Sequence, residues 1–337
     1  MRRLPILLIE DDPDLAGLLA KDISSRGFET FVATSVGDAL RLIADHAYSL
    51  IVADYLGPLE QYPYRWPLLQ LLARFVPRTP VLALSLFREV PQTINLVAVV
   101  RLPDYVNDLT KALRRYPLAV PETARDNSLA RYLAALWDGD TDEAARVAME
   151  AMKAGLSATA IYENLLSEAL YQIGEWWADE SCTVAEEHGA RVITERVMAG
   201  VAASVERRSP KGRGIVVACV EGERHELGVR MAADLLTWDG WTVRLLGGDV
   251  PSGEMIAEAR KRAVRVVGLS ATMQPSWEMV KSQIAGLRAA GIDAVIIGGQ
   301  AFRPVSPEAV AALGADAKAE RAAEGVELAN QLADRGR

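Results

Sequence analysis

Three histidines occur in the 337 residues, His46, His188 and His225, so acid/base and metal chemistry near neutral pH has few places to reside. His225 lies in Glu223-Arg224-His225-Glu226-Leu227-Gly228. A carboxylate two positions before an imidazole can fix one ring nitrogen while the other faces a metal. Ser270-Ala271-Thr272 and Gly298-Gly299 follow further along. Their hydroxyls offer polar contacts, and paired glycines leave space for a flat or elongated group against the backbone. One imidazole alone makes no metal site, so the metal must bring most of its ligands with it. A second constellation is Trp177, nine intervening residues, then Glu187-His188. It places an indole, a carboxylate and an imidazole around one interhelical turn, where they are expected to converge on a single face. A third is acidic. Glu10-Asp11-Asp12 and Asp54 end two apolar runs, and carboxylates at adjacent strand ends suit a hard divalent cation, with Asp54 placed to accept a phosphoryl group.

The elements that must position these residues fall into three stretches. Residues 5–9, 29–33, 49–53, 80–84 and 98–101 read as strands separated by helical patterns, which implies a parallel sheet covered on both faces. Tyr116-Pro117 and Val120-Pro121-Glu122-Thr123 interrupt the pattern and mark a linker. From Asn127 to about Arg207 the apolar period is 3.6 with no strand candidate, and four helices are expected to pack as a small antiparallel bundle. Asp138-Gly139-Asp140 and Gly155-Leu156-Ser157 separate helices, and Thr183-Val184-Ala185-Glu186 is a capping box opening the fourth. After the breaker-rich 207–214 segment, strands are expected at 215–220, 242–246, 264–269, 294–297 and 315–319. The chain reads as multidomain α/β, with modules at 1–117, 126–207 and 213–337. His225, Ser270-Thr272 and Gly298-Gly299 would then share the carboxyl edge of one sheet, where open α/β sheets bind ligands.

Composition narrows the function. Half of the residues are apolar and 24% charged, enough to bury large cores, while 37 basic against 45 acidic side chains leave a net charge of −8. No Lys/Arg-rich block exists to neutralise phosphates, so direct DNA binding is not expected. Two cysteines, Cys182 and Cys219, are too few for a disulfide framework and are not spaced as zinc ligands. No apolar run approaches the length of a membrane span, and a cytoplasmic protein is expected.

With Glu223-x-His225-x-x-Gly228, Ser270-x-Thr272 and Gly298-Gly299 in one α/β module, residues 125–335 resemble the cobalamin-binding domain preceded by its four-helix cap. The resemblance implies a flavodoxin-like, Rossmann-like module that binds cobalamin base-off, with His225 as lower axial ligand to cobalt. The commonest form of the motif has Asp at Glu223 and Leu at Thr272. The Trp177, Glu187, His188 set resembles the light-sensing adenosylcobalamin proteins of the CarH type, where such residues enclose the adenosyl group. In those proteins light breaks the cobalt–carbon bond, the adenosyl group departs and the cap shifts. They carry a histidine directly after this tryptophan, where this chain has Ala178; His188 or water could substitute, or no bis-histidine state forms.

Residues 1 to about 115, with Asp11, Asp12, Asp54 and Ser85, resemble a response-regulator receiver domain of flavodoxin-like fold, binding Mg2+. Receivers normally carry a lysine ending the fifth strand, but none occurs between Lys21 and Lys111, and Arg101 is the nearest cation. A phosphorylated receiver and a pseudo-receiver used for docking both remain open. His46 is expected to be solvated. Together the resemblances imply a non-enzymatic photoreceptor acting in signal transduction through a light-dependent homo-oligomer or through a protein partner such as a transcription factor or kinase. The alternative is a corrinoid protein carrying a methyl group between methyltransferases.

Overall fold

The computed structural model describes residues 4–54, 68–85, 95–101, 127–178 and 180–335. The expected linker and Lys111 lie outside the described residues. Two compact units are present, one comprising residues 1–154 and 168–197, the other 155–167 and 198–337. Among the described residues no helix is long and apolar enough to cross a membrane.

In the first unit, β1 (Ile6–Ile9), β2 (Thr30–Ala33), β3 (Leu50–Asp54), β4 (Val81–Ser85) and β5 (Leu96–Arg101) form a parallel sheet in the order β2-β1-β3-β4-β5. The continuous apolar runs reflect burial on both faces: all of β1 and β4 is buried. Helices α1 (Pro13–Ser25), α2 (Val36–Asp45) and α3 (Leu68–Phe75) connect the strands. Asp12 starts α1 by accepting from the amides of Asp14 and Leu15, with Pro13 as the first helical residue. His46 follows α2 and is exposed, as expected, but its ring lies 4.6 Å from that of Phe31.

Four helices follow in sequence: α4 (Ser128–Trp137), α5 (Thr141–Lys153), α6 (158–178) and α7 (Val184–Ala203). The interior of α6 contains a π-helical turn, Ile161–Leu166. Within the first unit α4 packs on α6 and α7 as well as on α5. Trp137 meets Trp176 edge to face at 5.5 Å, and the Tyr132 hydroxyl lies 3.2 Å from Thr194 Oγ1. The same unit ties the sheet module to these helices. The Arg41 guanidinium pairs with Asp138, Asn127 Nδ2 donates to the Ala44 carbonyl at 2.5 Å, and Arg74 on α3 donates to Gln172 and Glu168 on α6 at 3.1 and 2.9 Å.

The second unit holds β6 (Gly214–Cys219), β7 (Thr242–Gly247), β8 (Val266–Ser270), β9 (Ala294–Gly298) and β10 (Ala317–Ala319), parallel in the order β10-β9-β8-β6-β7. Helices α8 (Leu227–Trp238), α9 (Ser252–Lys261), α10 (Trp277–Ala289), α11 (Pro307–Leu313) and α12 (Ala322–Arg335) connect or follow them. Apolar clusters cover both faces of the sheet. Renumbered from its own first strand, this sheet has the same 2-1-3-4-5 winding as the first, so each has a crevice where its strand order reverses.

The capping box is formed reciprocally: the Thr183 amide donates to Glu186 Oε2 at 2.7 Å and the Glu186 amide to Thr183 Oγ1 at 3.1 Å. Thr183→Ala is therefore expected to cost about 1 kcal/mol, read as a lower urea midpoint for the full chain. An unchanged midpoint would show that the cap contributes nothing.

Candidate functional site

In the second unit the winding order reverses between β6 and β8. Cys219 pairs with Ser270 and Ser270 with Gly298, so the ends of β6, β8 and β9 stand in one row. That row spans about 10 Å at two strand spacings. The three patterns singled out in the sequence thus reach one edge of one sheet because register aligns their strands.

Glu223 binds this edge together. Its Oε1 lies 2.7 Å from the His225 amide and 2.6 Å from His225 Nδ1; its Oε2 accepts from the amides of Thr272 and Met273, both at 2.8 Å. Only 5% of Glu223 is exposed. Burial pushes its carboxyl pKa up, but the amides of His225 and Met273, the imidazole and the Thr272 amide outweigh burial and hold it below the usual carboxylate range. An ionised carboxylate has no proton to give, so Nδ1 carries the proton and donates. In the neutral ring the lone pair is then on Nε2, the nitrogen available to a metal, and the imidazole side chain is 48% exposed. The extra methylene of Glu relative to Asp does not prevent this contact.

The other patterned residues take more specific roles. Gly228 is exposed in the first turn of α8, and a Cβ there would lie 3.7 Å from Ser270 Oγ. Thr272 enters through its backbone amide. The glycine pair also has a packing role within the chain. Gly299 has φ +99°, and a Cβ there would stand 3.0 Å from the Ala271 carbonyl carbon and closer still to its oxygen; at Gly298 it would face Ala319. The missing side chains let the chain after β9 press on the chain after β8. Both loops line the same edge, so the pair shapes it through the backbone.

Sequence reasoning missed a second support. Glu226 Oε2 accepts from the Gly248 amide at 3.2 Å, and the Asp249 amide donates to the Glu223 carbonyl at 2.8 Å. The Gly247-Gly248 pair ending β7 was an available signal, of the same kind as Gly298-Gly299. Cys219 and Cys182 are both free and buried, their thiols pushed up to about 12 chiefly by burial, which leaves them unreactive at neutral pH.

In the first unit Trp176 is fully buried, whereas Trp177 is 42% exposed. Glu187 Oε2 lies 3.4 Å from His188 Nε2. Val184 and Val192, at 55% and 45% exposure, bracket His188 at i−4 and i+4 along α7. They form an apolar stripe that the sequence reading did not single out.

The acidic cluster has a different membership from that expected. Ile9 pairs with Ala53, so the residues that follow, Glu10 and Asp54, are neighbours. Glu10, Asp11 and Asp54 bring carboxylate oxygens within 4.8 Å of one another. Asp12 is spent on capping α1, and the almost fully buried Glu10 takes its place. Burial and the Asp54 charge raise the Glu10 pKa from 4.5 to about 7, against the Asp12 amide and with the charges of Asp11 and Asp12. The folded chain therefore holds this proton more tightly than the unfolded one, and stability present below the ordinary carboxylate pKa is lost as pH rises through 7. In divalent-free buffer Glu10→Gln is expected to exceed the parent in stability at about pH 8 by up to roughly 3 kcal/mol and to match it near pH 4. Equal denaturation midpoints at both pH values would contradict this.

Two family models, each described as a B12 binding domain, match residues 128–200 and 213–327. The dimethylamine corrinoid protein of Methanosarcina barkeri is 31% identical over 150 residues, covering 42% of this chain and 68% of that protein. The HTH-type transcriptional repressor CarH of Myxococcus xanthus is 32% identical over 160 residues, 46% of this chain and 52% of that protein. Among solved structures, the Methanosarcina barkeri monomethylamine corrinoid protein shares the fold, with TM-score 0.54 and 22% identity over 61% of this chain and 98% of that one. A lone, oriented imidazole at a strand-end crevice suits a metal that arrives inside a macrocycle, and with these matches the chain belongs to the corrinoid proteins built from B12 binding domains.

Proposed function

We propose that this chain is a light-responsive regulator that binds adenosylcobalamin base-off, with His225 as the lower axial ligand. The observation that carries the reading is the His225 imidazole fixed by an ionised, buried Glu223 at the point where the sheet reverses its winding. When bound, adenosylcobalamin supplies a cobalt–carbon bond that visible light cleaves. His225 presents Nε2 to the metal, Glu223 keeps the proton on Nδ1, and Gly228, Ser270, Thr272, Gly298 and Gly299 form the edge that receives the corrinoid. Trp177, Glu187 and His188, with Val184 and Val192, form the surface offered to the upper ligand. When that surface loses its contact, the four-helix cap, residues 126–207, favours a second arrangement over the one the ligand had held. The cobalamin module is residues 213–337.

Residues 1–117 serve as the receiver-like signalling module. Glu10, Asp11 and Asp54 would hold Mg2+, with Asp54 the candidate phosphoryl acceptor. Output goes through contacts with a second copy of the chain or a protein partner such as a transcription factor or kinase, not through DNA. A second reading, a corrinoid carrier of methyl groups, is favoured by the 31% identity to a dimethylamine corrinoid protein and needs the same His225.

Full-length protein reconstituted in the dark with adenosylcobalamin is expected to show a base-off, histidine-coordinated absorption spectrum. His225→Ala should lose that spectrum, and Glu223→Gln should weaken binding about 10- to 100-fold. Green light should change the spectrum and the elution volume in size exclusion. Preferential binding of methylcobalamin, with elution unaltered by light, would replace the sensor with the methyl carrier. A spectrum retained by His225→Ala would overturn both readings.

A further inference from the structure

Met273 is 52% exposed, and among the described residues of its unit it stands alone as a large apolar side chain left so far in water. A single exposed methionine would ordinarily need no explanation. Its backbone makes this one different, because the loop that follows β8 is held from both sides. On one side the Ala271 amide donates to the Gly298 carbonyl and the Ala301 amide to the Ala271 carbonyl, each at 3.1 Å, while Gly299 presses on Ala271 without a side chain. On the other, the Thr272 and Met273 amides both donate to Glu223 Oε2. The backbone at Met273 is thus pinned where about half of its side chain stays in water. The same carboxylate that holds its amide holds the imidazole of His225.

Resting on the cobalamin reading above, we propose that Met273 is a positioning residue for the bound corrinoid, its side chain packing on the ring face beside His225 and keeping water from the metal–imidazole bond. A thioether on three rotatable bonds is suited to this. It is apolar and polarisable, and it adapts to the uneven surface of a substituted flat ring. The pinned amide sets where the side chain starts, and the flexible stem does the fitting.

The test compares full-length wild type, Met273→Ala and Met273→Leu, loaded with adenosylcobalamin in the dark, by absorption spectrum and by the rate of cobalamin release on dilution. At saturating cobalamin Met273→Ala should keep the histidine-coordinated spectrum but release the cofactor roughly five- to tenfold faster, the effect of exposing part of one methionine side chain. Met273→Leu should return to within about twofold of wild type, since volume and apolarity are kept. Melting of the cofactor-free variants should be unchanged. Wild-type release from Met273→Ala, failure of leucine to rescue, or a lowered melting temperature of the cofactor-free alanine variant would each overturn the proposal. If wild type binds no cobalamin, the functional reading falls and takes this inference with it; if wild type binds and Met273→Ala behaves identically, only this inference falls.

Discussion

A buried carboxylate is costly unless its oxygens are satisfied, and at Glu223 they are. Removing an ion from water costs several kcal/mol even in a relaxed protein interior. Hydrogen bonds to a charged acceptor return about 1.5–3 kcal/mol each, and three backbone amides and one imidazole converge on this group. Its lowered pKa shows which effect wins. The consequences spread outward from that balance. The loop after β6 is tied to the loop after β8, the proton of His225 is confined to Nδ1, and Nε2 is presented from a braced ring.

The two sheets share one winding order, yet their edges carry opposite electrostatics. Both place a glutamate just beyond the strand that lies beside the reversal point. Glu10 meets other carboxylates and is pushed up to about 7, whereas Glu223 meets N–H donors and is held low. Like charges gathered in partial burial favour a proton or a cation. A carboxylate ringed by donors instead stays ionised and acts as an orienting group. The winding supplies the crevice, and the residues placed in it decide the chemistry.

The helices that follow the first sheet in sequence show how burial divides labour between neighbours. Trp176 packs edge to face on Trp137 inside the first unit, while Trp177, one residue on, is partly exposed. Successive helical residues point about 100° apart, so one tryptophan can anchor the helix while the next is partly exposed. In the same unit Arg74 joins α3 to α6, and Arg41 joins α2 to the residue that ends α4. The sheet module and the helix bearing Trp177 are therefore in direct physical contact.

Much of this organisation is legible in the amino-acid order alone. The strands follow from short apolar runs between helical periods, the start of α7 from Thr183 and Glu186, and the shared sheet edge from His225, Ser270 and the glycine pair. These depend on side-chain types at fixed spacing, which is what a sequence displays. The rest required the folded chain. Which of three successive acids joins Asp54 depended on strand register and on Asp12 being spent as a helix cap. That Gly299 serves a close backbone approach, and that Glu223 holds Thr272 and Met273, depended on amides and carbonyls that every residue possesses. Backbone groups leave no mark in composition or spacing, so only tertiary structure could decide where they meet.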